Sequence, residues 1–291
     1  MILHAYAKIN WSLDITGVRE DGYHLMDMIM QPVSLCDEIE LHPAASLSIS
    51  TGGRPRSRAD ASNLAYRAAA LLQQETGCAK GASIHVQKSI PIGAGLGGGS
   101  ADAAAVLTGL NRLWHTGLSG QDLERIGLKL GADVPFALRG GLSRTRGIGE
   151  QLENHECRYH YRMIVWQPCA GLSTGDVFSL WKKSGAQDRP DTAGALSALA
   201  GGNLGELCAS VRNVLQPTAS ALRPEIGHAC SVLKENGAAL AQMTGSGSAV
   251  FGVFCGEKTI TEAYRKLSAE YSSVFLCHTQ DDSIRIVNEE D

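Results

Sequence analysis

The stretch 91-PIGAGLGGGSADAAAVL-107 packs five glycines into the seven residues from Gly93 to Gly99, then turns into a run of small helix formers. A glycine in regular structure costs roughly 0.5–1 kcal/mol relative to alanine, so five together require a reason. The preceding 82-ASIHVQKSI-90 alternates apolar and polar residues as a strand does. After the loop, Ala103, Val106, Leu107, Leu110 and Leu113 fall at helical spacing, which predicts a helix packed on a core. Bare backbone therefore sits between a strand and the start of a helix.

Three readings of the loop compete. One is a flexible linker or tight turn, but linkers seldom join a strand directly to a well-patterned helix. A second is a dinucleotide fingerprint, since Gly93, Gly95 and Gly98 fit GxGxxG. That unit needs a following strand with an acid about 20 residues on, and here 116-TGLSGQDLERIGLKLG-131 begins another helix. The third is a phosphate-binding loop: backbone N–H groups converge on an anion, and the helix adds about half a positive charge at its first turn. Missing side chains let the anion approach, and Ser100 is placed to cap the helix or offer a hydroxyl to a metal ion. No Lys-Ser/Thr follows the glycines, so this is not the P-loop of the common NTPases. A triphosphate exceeds what one helix end balances, which implies Mg²⁺ arriving with the nucleotide.

The rest of the chain sets bounds. Its 291 residues suit one large or two medium domains; a 19% charged content and a net charge of −4 argue against a nucleic-acid-coating surface. The start reads as neither a signal peptide nor a membrane span. The eight cysteines contain no CxxC and no histidine pair suggests a metal cage, so the expectation is buried free thiols, no protein-held metal and a cytoplasmic setting.

Residues 2–13 read as a strand, and 37-DEIELHPAASLSIS-50 as one or two more. Residues 62-SNLAYRAAALLQQETG-77 read as a helix capped at Ser62 and stopped at Gly77. Ser119 caps the next helix, to about Leu130; 131-GADVPFALRGG-141 reads as a turn-rich segment and 150-EQLENHECRYHY-161 as a junction between halves. The second half opens on the strand 162-RMIVWQP-168, runs through several helices, then strand, glycine turn and strand over 238–254, a helix at 259–271 and a strand at 272–279. The alternating Met26, Met28 and Met30 read as the core face of a strand. Uneven interleaving of strands and helices favours α+β with mixed sheets covered by helices.

Three separated stretches, 5-AYAKIN-10, the loop at 91–105 and 243-MTGSGSAVFGVF-254, together resemble the signature motifs of the GHMP kinases, and the resemblance covers nearly the whole chain. It implies a two-domain fold, residues 1–152 and 153–291, with the active site in the cleft between them. Within the family, 21-DGYH-24 and 131-GADVPF-136 resemble the branch acting on a cytidine-diphosphate-linked methylerythritol in the non-mevalonate route to isoprenoid precursors. That resemblance implies ATP as phosphoryl donor to the 2-hydroxyl, Asp133 as catalytic base and Lys8 as its electrostatic partner. It further implies Asn10, Tyr23, His24, Thr174 and Phe178, with Asp133, around the acceptor. The nucleotide falls to Asn63, Lys88, Pro91, Gly93, Gly95, Leu96, Gly97, Gly98, Gly99, Ser100 and Ala101. Partners are the small-molecule substrate alone, with no nucleic acid or membrane, and the chain is expected to be a monomer or weak homodimer. Asp102 departs from members with asparagine there, and an acid beside phosphates repels them unless it turns away or works through Mg²⁺.

Rival uses remain for several of these residues: a helix cap for Asp133, a solvated strand lysine for Lys8, loop closure for Tyr23 and His24, a tight hairpin for 244-TGSGSA-249. Rival functions are a kinase of this fold for another small alcohol, or a non-catalytic nucleotide-binding member; an aromatic clamp and the Lys8–Asp133 pair weigh against them.

Overall fold

A computed structural model of the chain describes residues 1–181 and 188–288. In the first half the chain runs through β1 (Ile2–Val18), β2 (His24–Ala44), β3 (Ser48–Gly53), α1 (Leu64–Thr76), β4 (Gly81–Lys88), α2 (Gly98–Trp114), α3 (Gly120–Leu128), α4 (Val134–Arg139), β5 (Leu142–Gly147) and β6 (Gln151–His155). The second half holds β7 (Arg162–Trp166), α5 (Thr174–Leu180), α6 (Thr192–Gly201), α7 (Leu204–Ser210), α8 (Gln216–Leu222), α9 (Pro224–Glu235), β8 (Leu240–Met243), β9 (Val250–Val253), α10 (Glu257–Glu270), β10 (Val274–His278) and β11 (Ile284–Asn288).

Among the described residues the strands form two sheets. The larger runs β11-β1-β2-β4-β3, with β5 and β6 added beside β2, and the smaller runs β10-β7-β9-β8. All pairings are antiparallel except β3 with β4. This is the mixed-sheet α+β architecture expected. The two sheets are not built from two consecutive stretches of chain, however: β11 returns to pair with β1, Ala5 opposite Ile284. The expected junction at 150–161 also contains β6, and the turn-rich segment after Gly131 contains α4.

β1 ties the molecule together. Its polar Lys8, Asn10, Ser12 and Asp14 alternate with apolar residues in the manner of a half-buried strand, yet every one of them is buried. Leu3 and Ala5 join the core under α1 and α2, Ala7, Ile9 and Trp11 a second cluster against the smaller sheet, and Leu13 and Ile15 a third with α8 and α9. Met28 and Met30 are buried in that third cluster, with Met26 packed against it. Polar side chains in a strand with both faces covered are costly without polar partners; Lys8, Asn10 and Asp14 have them, among the described residues Ser12 Oγ does not, and together they bring a polar row into the interior.

Local signals explain most helix ends. α3 starts on a capping box between Ser119 and Asp122. α1 ends on Gly77 at φ 67°, but its cap is Asn63 rather than Ser62, whose hydroxyl and N–H both turn to Asp60. α2 starts after Gly97 with no side-chain cap; Ser100 is already inside its first turn. All eight cysteines are free, although only Cys230 and Cys277 are fully buried and Cys255 is exposed.

Candidate active site

The uncapped start of α2 is the first element of the site. The N–H groups of a helix's first turn lack intrahelical partners, and here no side chain occupies them. The glycine loop that presents them is held in place by close packing. A Cβ on Gly95, at φ 78°, would come within 2.4 Å of the Thr244 carbonyl oxygen, and one on Gly97, at φ 70°, would meet Lys8 Cγ at 3.0 Å. Both positions combine a left-handed backbone with no room for a side chain. The Lys8 N–H donates to the Leu96 carbonyl at 3.0 Å, and the Ala249 N–H to that of Ala94 at 3.0 Å. The loop is thus clamped between β1 and the 244–249 turn, which is itself buried rather than an exposed hairpin tip.

On the far side of this loop stands the acid–amine pair. Lys8 Nζ donates to Asn10 Oδ1 at 2.7 Å and lies 3.8 Å from Asp133 Oδ2. Asn10 is fixed in turn: its N–H donates to Thr244 Oγ1 at 2.9 Å and its side-chain amide to Met28 Sδ at 3.4 Å. Burial lowers the Lys8 pKa, opposed by the charge of Asp133. Asp133 occupies the position before α4 that a capping aspartate would take, yet its side chain makes no capping bond. The carboxylate, 36% exposed, is left open to solvent on one side and Lys8 on the other.

Below the loop lies a second buried lysine. Lys88 Nζ donates to Asp37 Oδ2 at 2.5 Å and to Asp102 Oδ2 at 2.7 Å, and Asp37 also accepts the N–H groups of Ser89 and Ile90. Desolvation opposes the charge on Lys88, but the two carboxylates outweigh it and raise its pKa. Desolvation pushes Asp102 up to about 7, against the pull of Lys88. Asp102 therefore turns into a charge network beneath the loop, while its Oδ1 finds no hydrogen-bond partner.

A cavity of about 570 Å³ opens over the loop and the start of α2. Of the residues expected around a nucleotide, Asn63, Lys88, Pro91, Gly93, Gly95, Leu96, Gly97, Gly98, Gly99 and Ser100 line it; Ala101 does not, being buried. Asn63 spends its side chain on α1's cap and the Arg58 carbonyl, and Lys88 on its two acids. Arg56 and Arg58, which also line the cavity, belong to no motif and were not anticipated.

The residues expected around the acceptor divide. The His24 and Phe178 rings lie 5.0 Å apart, and Thr174 Oγ1 is 2.9 Å from Ser246 Oγ in the 244–249 turn. Tyr23 is 61% exposed at the tip before β2. Trp181, edge-on to His24 at 6.2 Å, was missed; an aromatic three residues after Phe178, on the same side of a helix, was the available signal. Among the described residues no three His, Cys, Asp or Glu side chains gather as metal ligands.

Comparison with known proteins identifies the family. Residues 63–141 match the family profile "GHMP kinases N terminal domain" and residues 195–273 match "GHMP kinases C terminal". The chain is 38% identical to a 4-diphosphocytidyl-2-C-methyl-D-erythritol kinase of Clostridium tetani, over 96% of this chain and 100% of that one. It is 38% identical to the enzyme of that name from Bacillus subtilis, over 93% and 94%. A crystal structure of a 4-(cytidine 5'-diphospho)-2C-methyl-D-erythritol kinase superposes with a TM-score of 0.82 at 32% identity, covering 96% of this chain and 99% of that one. A homoserine kinase from Cytophaga hutchinsonii shares the fold, with a TM-score of 0.77 at 17% identity and coverage of 99% and 97%. The loop-and-pair site thus sits on a shared kinase scaffold, and the chain belongs to the 4-diphosphocytidyl-2-C-methyl-D-erythritol kinases of the GHMP kinase family.

Proposed function

We propose that the chain transfers the terminal phosphoryl group of ATP to the 2-hydroxyl of 4-diphosphocytidyl-2-C-methyl-D-erythritol, a step in the non-mevalonate route to isoprenoid precursors. The observation that carries the residue roles is the adjacency of the open α2 terminus and the Lys8–Asp133 pair, joined through Gly97 packed on the Lys8 side chain. Phosphoryl transfer is chiefly positioning and charge stabilisation. The loop's N–H groups hold the phosphate tail; Asp133 orients the acceptor hydroxyl and takes its proton as the oxygen bonds to phosphorus. Lys8, held by Asn10, balances charge on the moving group. At the acceptor's base, Tyr23 and Phe178 supply ring faces and His24 a polar edge, with Thr174 beside them.

A divalent cation with the triphosphate fits the donor set: the Ser100 hydroxyl at the start of α2 is the chain's offer to it, the phosphate oxygens the rest. It would supply charge neutralisation. Among the described residues no helix is long and apolar enough to cross a membrane; we place the protein in the cytoplasm as a monomer or weak dimer.

The test is turnover with a panel of alcohols in two variants. Gly99 has open space around it, so Gly99→Asp adds a carboxylate where phosphate would lie and suits the first turn of a helix. It is expected to abolish nucleotide binding without lowering stability. Tyr23→Ala should weaken the cytidine substrate about 10-fold, from loss of roughly 1–3 kcal/mol of stacking, and leave ATP affinity alone. Turnover of simple alcohols at rates equal to the cytidine compound would refute the substrate assignment.

A further inference from the structure

The cavity over the glycine loop has an uneven charge. Among the described residues that line it, the charged side chains are Arg56, Arg58, Lys88 and Asp102. Lys88 is already committed: it bonds to both Asp37 and Asp102, and the three groups carry a net negative charge when both acids are ionised. Lys8 does not line this cavity and is held by Asn10 on the other side of the loop. The start of α1 is likewise closed, because Asn63 caps it. For a polyanion the floor offers the α2 terminus and a carboxylate network with one free oxygen.

The segment between β3 and α1 is different. Arg56 and Arg58 lie in the segment between β3 and α1, both exposed, and among the described residues neither side chain makes an ion pair or hydrogen bond. Asp60 is near Arg58, yet that carboxyl is held below its usual range first by Ser62 and least by Arg58. A guanidinium presents a planar fork of donors that matches phosphate oxygens and does not lose its charge. Two of them, with no ion pair or hydrogen bond of their own, line the same cavity as the loop that presents the α2 N–H groups.

We propose that Arg56 and Arg58 form a cationic clamp on the nucleotide's phosphates within the cavity they share with the glycine loop, adding full positive charges to the partial charge of the α2 terminus. The clamp rests on the reading of this cavity as the ATP site. It makes these arginines affinity and positioning residues for the donor, with no part in acceptor recognition.

Calorimetric titration with a non-hydrolysable ATP analogue and with adenosine separates the possibilities, using wild type, Arg56→Ala/Arg58→Ala, Arg56→Lys/Arg58→Lys and Gly99→Asp. The double alanine variant should bind the triphosphate analogue about 100-fold more weakly, each lost charge-assisted contact counting for roughly a factor of ten, and adenosine with little change. Its salt dependence should flatten, because fewer charges remain to screen. The lysine pair should recover most of the loss, and in turnover the alanine pair should raise KM for ATP but not for the cytidine substrate. Wild-type affinity in the alanine pair, or equal losses for analogue and adenosine, would overturn the clamp while Gly99→Asp still reports the cavity as the nucleotide site. Undiminished analogue binding by Gly99→Asp would remove the nucleotide reading and the clamp together.

Discussion

The glycine loop lies between two buried lysines that the fold treats in opposite ways. Lys88 meets two carboxylates at hydrogen-bonding distance, and its charge is strengthened. Lys8 meets one carboxylate at 3.8 Å and a neutral amide, and its charge is weakened, chiefly by burial. A saturated cation has little left to offer a ligand; its work is to hold Asp37 on β2, Lys88 at the end of β4 and Asp102 on α2 in one network. An undersaturated one gains most when further negative charge arrives beside it, as it does when a phosphoryl group is transferred. Two residues of the same type, one on each side of a loop, are thus divided between framework and chemistry by their partners.

Substitutions can break that division. Asp133→Asn keeps the shape but loses the proton acceptor, so kcat should fall about 10²–10⁴-fold, with both substrates still bound in equilibrium titrations; near-normal turnover would return Asp133 to a structural part. Lys88→Met leaves two buried carboxylates without their cation. Its expected effect is a loss of about 3–5 kcal/mol in chemical denaturation, whereas Lys8→Met should cost far less stability and far more turnover. If the two lysines exchanged these phenotypes, the contrast would be wrong.

The pH dependence sharpens it. A function that needs Lys8 charged is present below its pKa and lost as pH rises through it, and because burial has lowered that pKa, activity should decline below the usual lysine range. Lys8→Arg should shift that alkaline limb upward in a kcat profile. The smallest effect belongs to Asp102. Its folded pKa is raised from 3.8 to about 7, so the folded protein holds a proton that the unfolded chain releases. That contribution to stability is complete below about pH 4 and is lost as pH rises through about 7. Asp102→Asn should flatten the decline, measured as unfolding midpoints across that interval.

Much of this was legible in the residues. Lys8 is reached through the likeness of 5-AYAKIN-10 to a family motif, and the glycine loop through its place between a strand and a well-patterned helix, where a phosphate-binding turn outweighs a linker. The methionine alternation gave the core face of β2 correctly. Other features had no local signal. β11 pairs with β1 across almost the whole chain, and five residues, although Ile284, Arg285 and Ile286 alternate, are too few to say which distant strand they join. α4 is six residues long and begins with Val-Pro, too short for a helical period to declare itself. Ser62 and Asn63 are both competent caps, and the choice was made by Asp60, which takes up Ser62. The partner of Lys88 is 51 residues away in Asp37; the one hint was Asp102, an acid set among alanines in a helix that is buried nearly all round.

The most direct trial of the central claim is a crystal structure with a non-hydrolysable ATP analogue and the diphosphocytidyl alcohol bound together. The account predicts the terminal phosphate at the first turn of α2, with the acceptor hydroxyl within hydrogen-bond reach of Asp133 and Lys8 beside the transferring group. A terminal phosphate lying against another wall, with the Lys8–Asp133 pair facing only solvent, would contradict it.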